Sequence, residues 1–367
     1  MSANAGLAIE HSDSHMDLGQ MELLSSGYLQ DSVRNELASF SSLPRTESPV
    51  VAAQFGKPEI LGASQEAETV GDWRKKSLPP SLTSWLLETP TRSSITVKTD
   101  GHEMQSRVLL PEDYDPARKY PVVVGFHSYP GDGDGFGQLI GADRLTQQGM
   151  IVVLPSAEGG MWKSDRVGGI SYFSNPFKKG HDDIAGVKET LDVIGKIYSI
   201  DRENVNFIAH GQGVPVATEL ARQLDLEAPG SVDKLFLTSG TMVNTNDSSI
   251  ALRGTDVVHY EPGSDWVQDL GNLVTGTDST GQFLSKMIET KNCGLTADLN
   301  NNGVNFRVYN CADGASVFRL YEKNGEVSYP GQPERFDGIF GAGSTSKVDM
   351  TQIVINMIKQ GRLSRNP

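Results

Sequence analysis

The amino-acid sequence predicts an α/β fold with a mainly parallel sheet and helices on both of its faces. Apolar runs at residues 121–126 (PVVVGF) and 150–154 (MIVVL) suit strands that are buried on both sides. Residues 182–198 carry apolar side chains at helical spacing, and such segments alternate with strands from about residue 93 onward. A chain in which strands alternate with helices forms a parallel sheet that is covered on both faces.

The remaining elements follow in order along the chain. A hairpin is predicted at residues 94–99 and 104–110, around an Asp-Gly turn. A third buried strand at residues 205–209 leads into a helix at residues 214–224, and residues 350–358 predict a closing helix. Further strands are predicted at residues 234–237, 256–260, 306–309 and 317–321.

Charge and composition limit the classes of partner. The 367-residue chain has 46 acidic and 32 basic side chains, so its formal net charge is −14. Because like charges repel, neither a nucleic acid nor an anionic membrane surface is expected as the main partner. No apolar run approaches the roughly 18 residues of a spanning helix. The first residues lack a basic start and an apolar middle, so no secretory signal is expected. A virion, the cytoplasm, and the extracellular space reached by another route stay open as locations.

Residues 1–90 differ in composition from residues 91–367 and are predicted to form an N-terminal extension to an α/β domain. One apolar helical stripe is predicted at Met21, Leu24, Tyr28, Val33 and Leu37. Three interpretations stay open for it: a helix on the main domain, an arm that docks on another subunit, and a mostly disordered tail. We expect the extension to contact other protein subunits.

A tight turn follows the strand at residues 205–209. The sequence Ala209-His210-Gly211-Gln212-Gly213 stands between that strand and a helix, which is the setting of the nucleophile elbow G-x-S-x-G. The central position is Gly211, which has no side chain and cannot attack a carbonyl. A glycine-rich turn can also hold phosphate, but no Walker lysine follows here.

Other segments stand in a fixed order around this turn. They are residues 110–116 (LPEDYDP), 126–128 (FHS), 149–155 (GMIVVLP), 182–184 (DDI) and 201–205 (DRENV). Together they resemble the esterase group of α/β-hydrolases that includes polyhydroxybutyrate depolymerases and feruloyl or acetylxylan esterases. The resemblance covers roughly residues 93–359. It implies an α/β-hydrolase fold and a Ser, Asp and His triad.

Two later segments decide what remains of that triad. Residues 257–267 (VVHYEPGSDWV) resemble the family's V-L-H-I-H-G-T-A-D-x-V, which assigns Asp265 to the triad acid. Residues 324–331 (NGEVSYPG) resemble G-G-G-H-T-W-P-G, which assigns Val327 to the position of the histidine. With Gly211 at the nucleophile position, both chemical members are missing. An acid that orients an absent base cannot by itself transfer an acyl group.

The resemblance also assigns residues around this former active site. His127 and Ser128 stand where the family has the loop of the oxyanion hole, and Ser128 replaces a glycine; Gln212 follows the nucleophile position. Ser128 beside His127 could be a displaced nucleophile and base, but adjacent residues at a strand end usually point apart. The candidates for the cleft are Trp162, His210, Trp266 and Tyr329, although His210 is expected to be a hydrogen-bonded structural residue.

The cysteines and the acidic motifs predict no cofactor and no metal site. Two cysteines are too few for a four-ligand zinc site. Cys293 and Cys311 resemble a pair that is bridged in extracellular relatives, and two reduced thiols are the open alternative. The glycine-rich segment at residues 131–137 (GDGDGFG) lacks the full calcium-loop pattern and is expected to be a flexible turn. Asp182 and Asp183 are expected to cap a helix.

The sequence therefore predicts an inactive esterase-like domain that serves as a structural or binding module, including a subunit of a larger assembly such as a virion. A polymer or carbohydrate is the ligand expected in the old cleft. The alternative is an active serine-type carboxylesterase or depolymerase with a reorganised triad that acts on ester-linked polymers.

Overall fold

A computed structural model of the chain describes residues 92–99, 102–164, 182–240, 252–264, 280–326, 329–330 and 346–361. The strands are β1 (Arg92–Thr99), β2 (His102–Leu109), β3 (Tyr120–Phe126), β4 (Ile151–Ser156), β5 (Ile200–His210), β6 (Lys234–Thr238), β7 (Asp256–Ser264), β8 (Gly294–Asn301), β9 (Val304–Asn310) and β10 (Ser316–Glu326). The α-helices are α1 (Gly133–Leu139), α2 (Ala142–Gln147), α3 (Asp183–Ile197), α4 (Gly213–Glu227), α5 (Thr280–Thr290) and α6 (Met350–Gln360).

These strands form one sheet in the order β1-β2-β4-β3-β5-β6-β7-β10-β9-β8. The neighbours from β4 through β10 are parallel. The hairpin β1–β2 joins β4 antiparallel at one edge, and β9 and β8 continue antiparallel at the other. Helices α3, α4 and α5 share one apolar core with strands β3 to β7. This is the α/β-hydrolase fold that the sequence predicted.

Helices α1 and α2 pack on one another and on strands β3 and β4, and helix α6 packs on α2. Arg144 of α2 holds the Asp349 carboxylate with two hydrogen bonds of 3.1 and 2.8 Å, and the Thr351 hydroxyl donates to the Ile140 carbonyl. Asp349 also caps α6 by accepting from the Gln352 amide. These contacts join α6, the last described helix, to α2 and to the end of α1.

The glycine-rich segment expected to be a flexible turn is instead helix α1. Gly133 and Gly137 lie against Leu154, where an added Cβ would come within 2.3 and 2.5 Å of its atoms. Close packing therefore selects glycine here, in spite of its low helix propensity. Asp132 caps the helix by accepting from the Gly135 amide, and Asp134 accepts two 2.9 Å hydrogen bonds from Arg107. Both carboxylates thus have structural partners.

The other end of the sheet has two features of interest. Strand β8 was not predicted; it and β9 are joined by a turn in which Asn302 and Gly303 have φ of 52° and 85°. Cys293 and Cys311 form a disulfide bond that links the start of β8 to the end of β9.

No helix in the described ranges is long and apolar enough to cross a membrane. The whole of residues 1–90 lies outside those ranges.

Candidate functional site

The turn between β5 and α4 has the backbone of a nucleophile elbow. Gly211 has φ of +54°, and its amide donates to the carbonyls of Thr238 and Ser239 at 3.2 and 3.1 Å. Gly213 begins α4, and an added Cβ there would lie 2.3 Å from the Phe126 carbonyl oxygen. Only a residue without a side chain allows strand β3 and helix α4 to approach this closely. The strand–turn–helix geometry is therefore kept although position 211 is glycine.

Ser128 fills the volume that a nucleophile side chain would occupy. A Cβ built on Gly211 would lie 2.2 Å from Ser128 Oγ and 2.9 Å from Ser128 Cβ. Contacts below about 3 Å are repulsive for carbon atoms, whose optimum separation is roughly 3.5–4.0 Å. The loop after β3 and the elbow are thus brought together as the sequence suggested. The hydroxyl group next to Gly211 is therefore that of Ser128.

His127 is bound to the backbone through both ring nitrogens. Nδ1 donates to the Ser128 carbonyl at 2.8 Å, and Nε2 accepts from the Ala157 amide at 3.1 Å. Burial lowers the pKa of His127, with the Ser128 carbonyl acting in the opposite direction. A neutral imidazole with both nitrogens engaged cannot take a proton from a neighbouring hydroxyl. His127 therefore holds the loop in place.

Trp162 is part of the support beneath that loop. Its Nε1 donates to the His127 carbonyl at 2.8 Å, and its ring stacks on the His127 ring at 4.7 Å between centroids. Gln212 accepts from the Trp162 amide through Oε1 at 3.3 Å. Trp162, a candidate for the cleft, is instead fully buried and supports the loop from within.

His210 and Tyr329 are also buried beneath the elbow. His210 Nδ1 donates to the Thr238 carbonyl at 3.0 Å, and burial lowers the pKa of His210 to about 4. The Tyr329 ring meets the His210 ring edge-on, with 6.3 Å between the ring centroids. Burial raises the pKa of the Tyr329 phenol. Both side chains are less than a tenth exposed, so they fill the base of the site and do not face an open cleft.

The remaining positions of the predicted triad are outside the described ranges. These positions are Asp265 and Val327, and the cleft candidate Trp266 lies outside them as well. Among the described residues, no hydrogen bond joins Ser128 Oγ to an imidazole, and no cluster of three His, Cys, Asp or Glu side chains could hold a metal ion.

Sequence reasoning missed Ser239, which lies next to the elbow at the end of β6. Ser239 has φ of +47°, a conformation that is uncommon outside glycine. Its hydroxyl is buried without a hydrogen bond in the described part of the chain, while its carbonyl accepts from the Gly211 amide. The only sequence signal is a Ser-Gly pair directly after an apolar strand. Ser239 therefore belongs to the support of the turn.

A buried acid and a histidine lie at the start of α3. Asp182 caps that helix by accepting from the Ile184 amide, as the sequence predicted. Asp183 is fully buried, accepts from the Lys163 amide at 2.7 Å and lies 3.5 Å from His102 Nε2. Burial raises the pKa of Asp183 to about 7, against that hydrogen bond, and burial also lowers the pKa of His102. Burial therefore favours the neutral form of both side chains.

Comparisons with known proteins find similar folds. No family model matches the chain, and no curated protein sequence matches it. An acetyl xylan esterase from Aspergillus awamori is 15% identical with a TM-score of 0.45, covering 63% of this chain and 93% of its own. A dienelactone hydrolase-like promiscuous phosphotriesterase from metagenomic libraries is 13% identical with a TM-score of 0.48, covering 74% of this chain and 98% of its own.

A thermostable esterase is also among these structures. It is 17% identical with a TM-score of 0.39, and the match covers 54% of this chain and about half, 52%, of the esterase. Esterases of α/β-hydrolase type are thus among the structures that this chain is similar to. Likenesses at this level describe the fold and carry no information on activity.

Proposed function

We propose that this protein is a catalytically inactive esterase-like domain that serves as a binding or structural module. The observation that supports the proposal is the pairing of Gly211 with Ser128. Gly211 supplies no nucleophile, and the Ser128 hydroxyl occupies the space where a nucleophile would stand. A serine side chain at position 211 would require Ser128 to move. The two positions together therefore disfavour ester hydrolysis by a serine at the elbow.

The rival function is ester hydrolysis with Ser128 as a displaced nucleophile. Serine attacks only when a base removes its proton or a comparable group activates it. The adjacent His127 has both nitrogens on backbone groups, and no described imidazole bonds to Ser128 Oγ. His210, the histidine of the elbow, is buried and donates from Nδ1 to the Thr238 carbonyl. The described contacts therefore favour an inert hydroxyl.

We expect the purified protein to hydrolyse nitrophenyl acetate, nitrophenyl butyrate and a feruloyl ester no faster than buffer does. A fluorophosphonate probe should not label it, because no described imidazole is hydrogen-bonded to Ser128 Oγ to activate it. The matched control is Ser128→Ala, which should behave like the parent in both assays. Saturable turnover that survives repurification and disappears in Ser128→Ala would establish the rival function.

The structural part of the proposal concerns residues 1–90. The apolar stripe from Met21 to Leu37 needs a covering surface, since each large side chain contributes roughly 1.5–3 kcal/mol when it is fully buried. Every strand and helix in the described part of the chain lies at or after Arg92. We infer that the stripe docks on another subunit of a larger assembly, such as a virion.

Deleting residues 1–90 is expected to leave a folded, monomeric α/β domain that no longer associates. Light scattering with the full chain and the truncated chain, each at several concentrations, measures this. The control is the full chain with Leu24→Asp and Tyr28→Asp, which should also lose association because the apolar stripe is broken. Full-length and truncated chains in the same oligomeric state would count against the arm.

A further inference from the structure

A polar pocket lies at the opposite end of the sheet from the hairpin β1–β2. Its volume is about 340 Å³, which is within the range of small-molecule sites. Four adjacent strands, β7, β10, β9 and β8, form its floor. Its lining residues are Glu261, Asn300, Asn305, Arg307, Arg319 and Tyr321.

The strand register arranges these side chains in two rows on one sheet face. The first row runs across all four strands through Glu261, Tyr321, Asn305 and Asn300, which are successive cross-strand partners. Directly opposed residues in neighbouring strands lie about 4.5–5.5 Å apart, so the row forms a continuous line of hydrogen-bonding groups.

The second row balances the charge of the pocket. It passes from His259 through Arg319 and Arg307 to Asp298. Arg319 Nη2 pairs with Glu261 Oε2 at 3.3 Å, and Arg307 Nε pairs with Asp298 Oδ2 at 3.0 Å. His259 is buried, and burial together with Arg319 lowers its pKa to about 3, so it adds no charge at neutral pH. The two guanidinium groups and the two carboxylates cancel.

This balance selects the chemistry of a ligand. A phosphate or another anion would meet a carboxylate beside each guanidinium, Glu261 at Arg319 and Asp298 at Arg307, and like charges repel. An apolar ligand would remove water from these polar groups without replacing their hydrogen bonds. Hydroxyl groups both donate and accept, so a neutral polyol can satisfy carboxylate, amide and guanidinium groups together.

Two lining groups are free to make such contacts. Within the described residues, the side-chain amide of Asn300 and the hydroxyl of Tyr321 make no hydrogen bond. The Tyr321 side chain is 42% exposed, so one part of its ring offers an apolar surface beside polar edges. Such a combination suits a sugar ring, which has an apolar face and a hydroxylated rim. We propose that this pocket binds a neutral saccharide.

The probes for the test are a neutral xylan, a mannan, a mixed-linkage glucan and a starch, with dextran sulfate as the anionic comparison. Affinity gel electrophoresis of the full-length protein compares migration with and without each polymer. We expect retardation by at least one neutral polysaccharide and none by dextran sulfate. The proposal is overturned if no neutral polysaccharide retards the protein, or if dextran sulfate alone does so.

Substitutions then locate the binding to this pocket. Tyr321→Ala and Asn300→Ala should each weaken retardation by about tenfold in apparent affinity, equivalent to one lost favourable contact. Tyr321→Phe should keep much of the binding, because the ring remains. The matched control is Leu226→Ala, a 57% exposed position in α4 that is not among the pocket residues, and it should migrate like the parent.

One further variant tests the argument from charge. Glu261→Gln leaves Arg319 without its counter-charge, so retardation by dextran sulfate should appear while binding of the neutral polymer weakens. Unchanged retardation of both Tyr321→Ala and Asn300→Ala would place any saccharide binding elsewhere and refute this pocket. Because the proposal does not involve the elbow, it stands or falls separately from the absence of esterase activity.

Discussion

Gly211→Ser is expected to destabilise the domain and to create no esterase. Placing a side chain on a left-handed backbone costs roughly 1–2 kcal/mol. The clash of the new Cβ with Ser128 adds an overpacking cost of about 1–3 kcal/mol. The free energy of unfolding, measured by urea denaturation, should therefore fall by about 2–5 kcal/mol, the sum of the two costs.

Two companion variants separate the clash from the backbone strain. Gly149 also has a positive φ, of +79°, but no atom lies within 4 Å of an added Cβ. Gly149→Ser should therefore lose only the strain, roughly 1–2 kcal/mol. Combining Gly211→Ser with Ser128→Gly should recover the overpacking part, so that the two changes show a coupling of about 1–3 kcal/mol. Additive effects of these two substitutions would contradict the steric pairing.

Activity should stay absent in the Gly211→Ser, Ser128→Gly variant, because a serine alone lacks a general base. Adding Val327→His as a third change tests the base position that the sequence comparison assigns. Turnover that appears only in this triple variant would support the assignment of all three positions. Turnover already present in the double variant would show that another group of the chain acts as the base.

The main domain was predictable because local and long-range signals agree there. Buried parallel strands leave continuous apolar runs, such as residues 121–126 and 150–154, and the structure has strands at both. The elbow was also visible, since the small residues around Gly211 satisfy a close approach of strand and helix. For these segments each local preference favours the same fold.

The missed elements depend on tertiary contacts or on weak patterns. Helix α1 contains glycines that look like a turn, and only their contact with Leu154 explains why a helix forms there. Strand β8 lies at the edge of the sheet with most residues exposed, so it lacks an apolar pattern. The Asn302-Gly303 pair was a hairpin signal that could have found it.

The site was only partly predictable for a related reason. Sequence alignment to a motif shows that Gly211 lacks a side chain, but it cannot show that Ser128 fills the resulting space. The burial of Trp162 and Tyr329 likewise follows from three-dimensional packing, whereas both looked like candidates for a cleft. The direction of a side chain in a loop depends on the elements that pack against that loop. Those tertiary neighbours cannot be deduced from a single sequence.

A buried ion pair at the start of β6 is expected to produce the other large effect on stability. Lys234 Nζ lies 2.5 Å from Asp233 Oδ2, and both side chains are almost completely buried. Removing one partner leaves the other charge without compensation in a region of low dielectric constant. Asp233→Ala should therefore lower the free energy of unfolding by about 3–5 kcal/mol.

Because β6 ends at Thr238, whose carbonyl accepts from the Gly211 amide, the loss at Asp233 should also loosen the elbow. Faster amide hydrogen exchange at Gly211 would report this. The control is Asp113→Ala, which breaks an exposed pair with Arg118 and should change stability by less than about 1 kcal/mol. Replacing the buried pair as a whole, with Asp233→Asn and Lys234→Met, should cost less than Asp233→Ala alone, because no unpaired charge remains. An Asp233→Ala protein as stable as Asp113→Ala would show that the buried ammonium finds another partner.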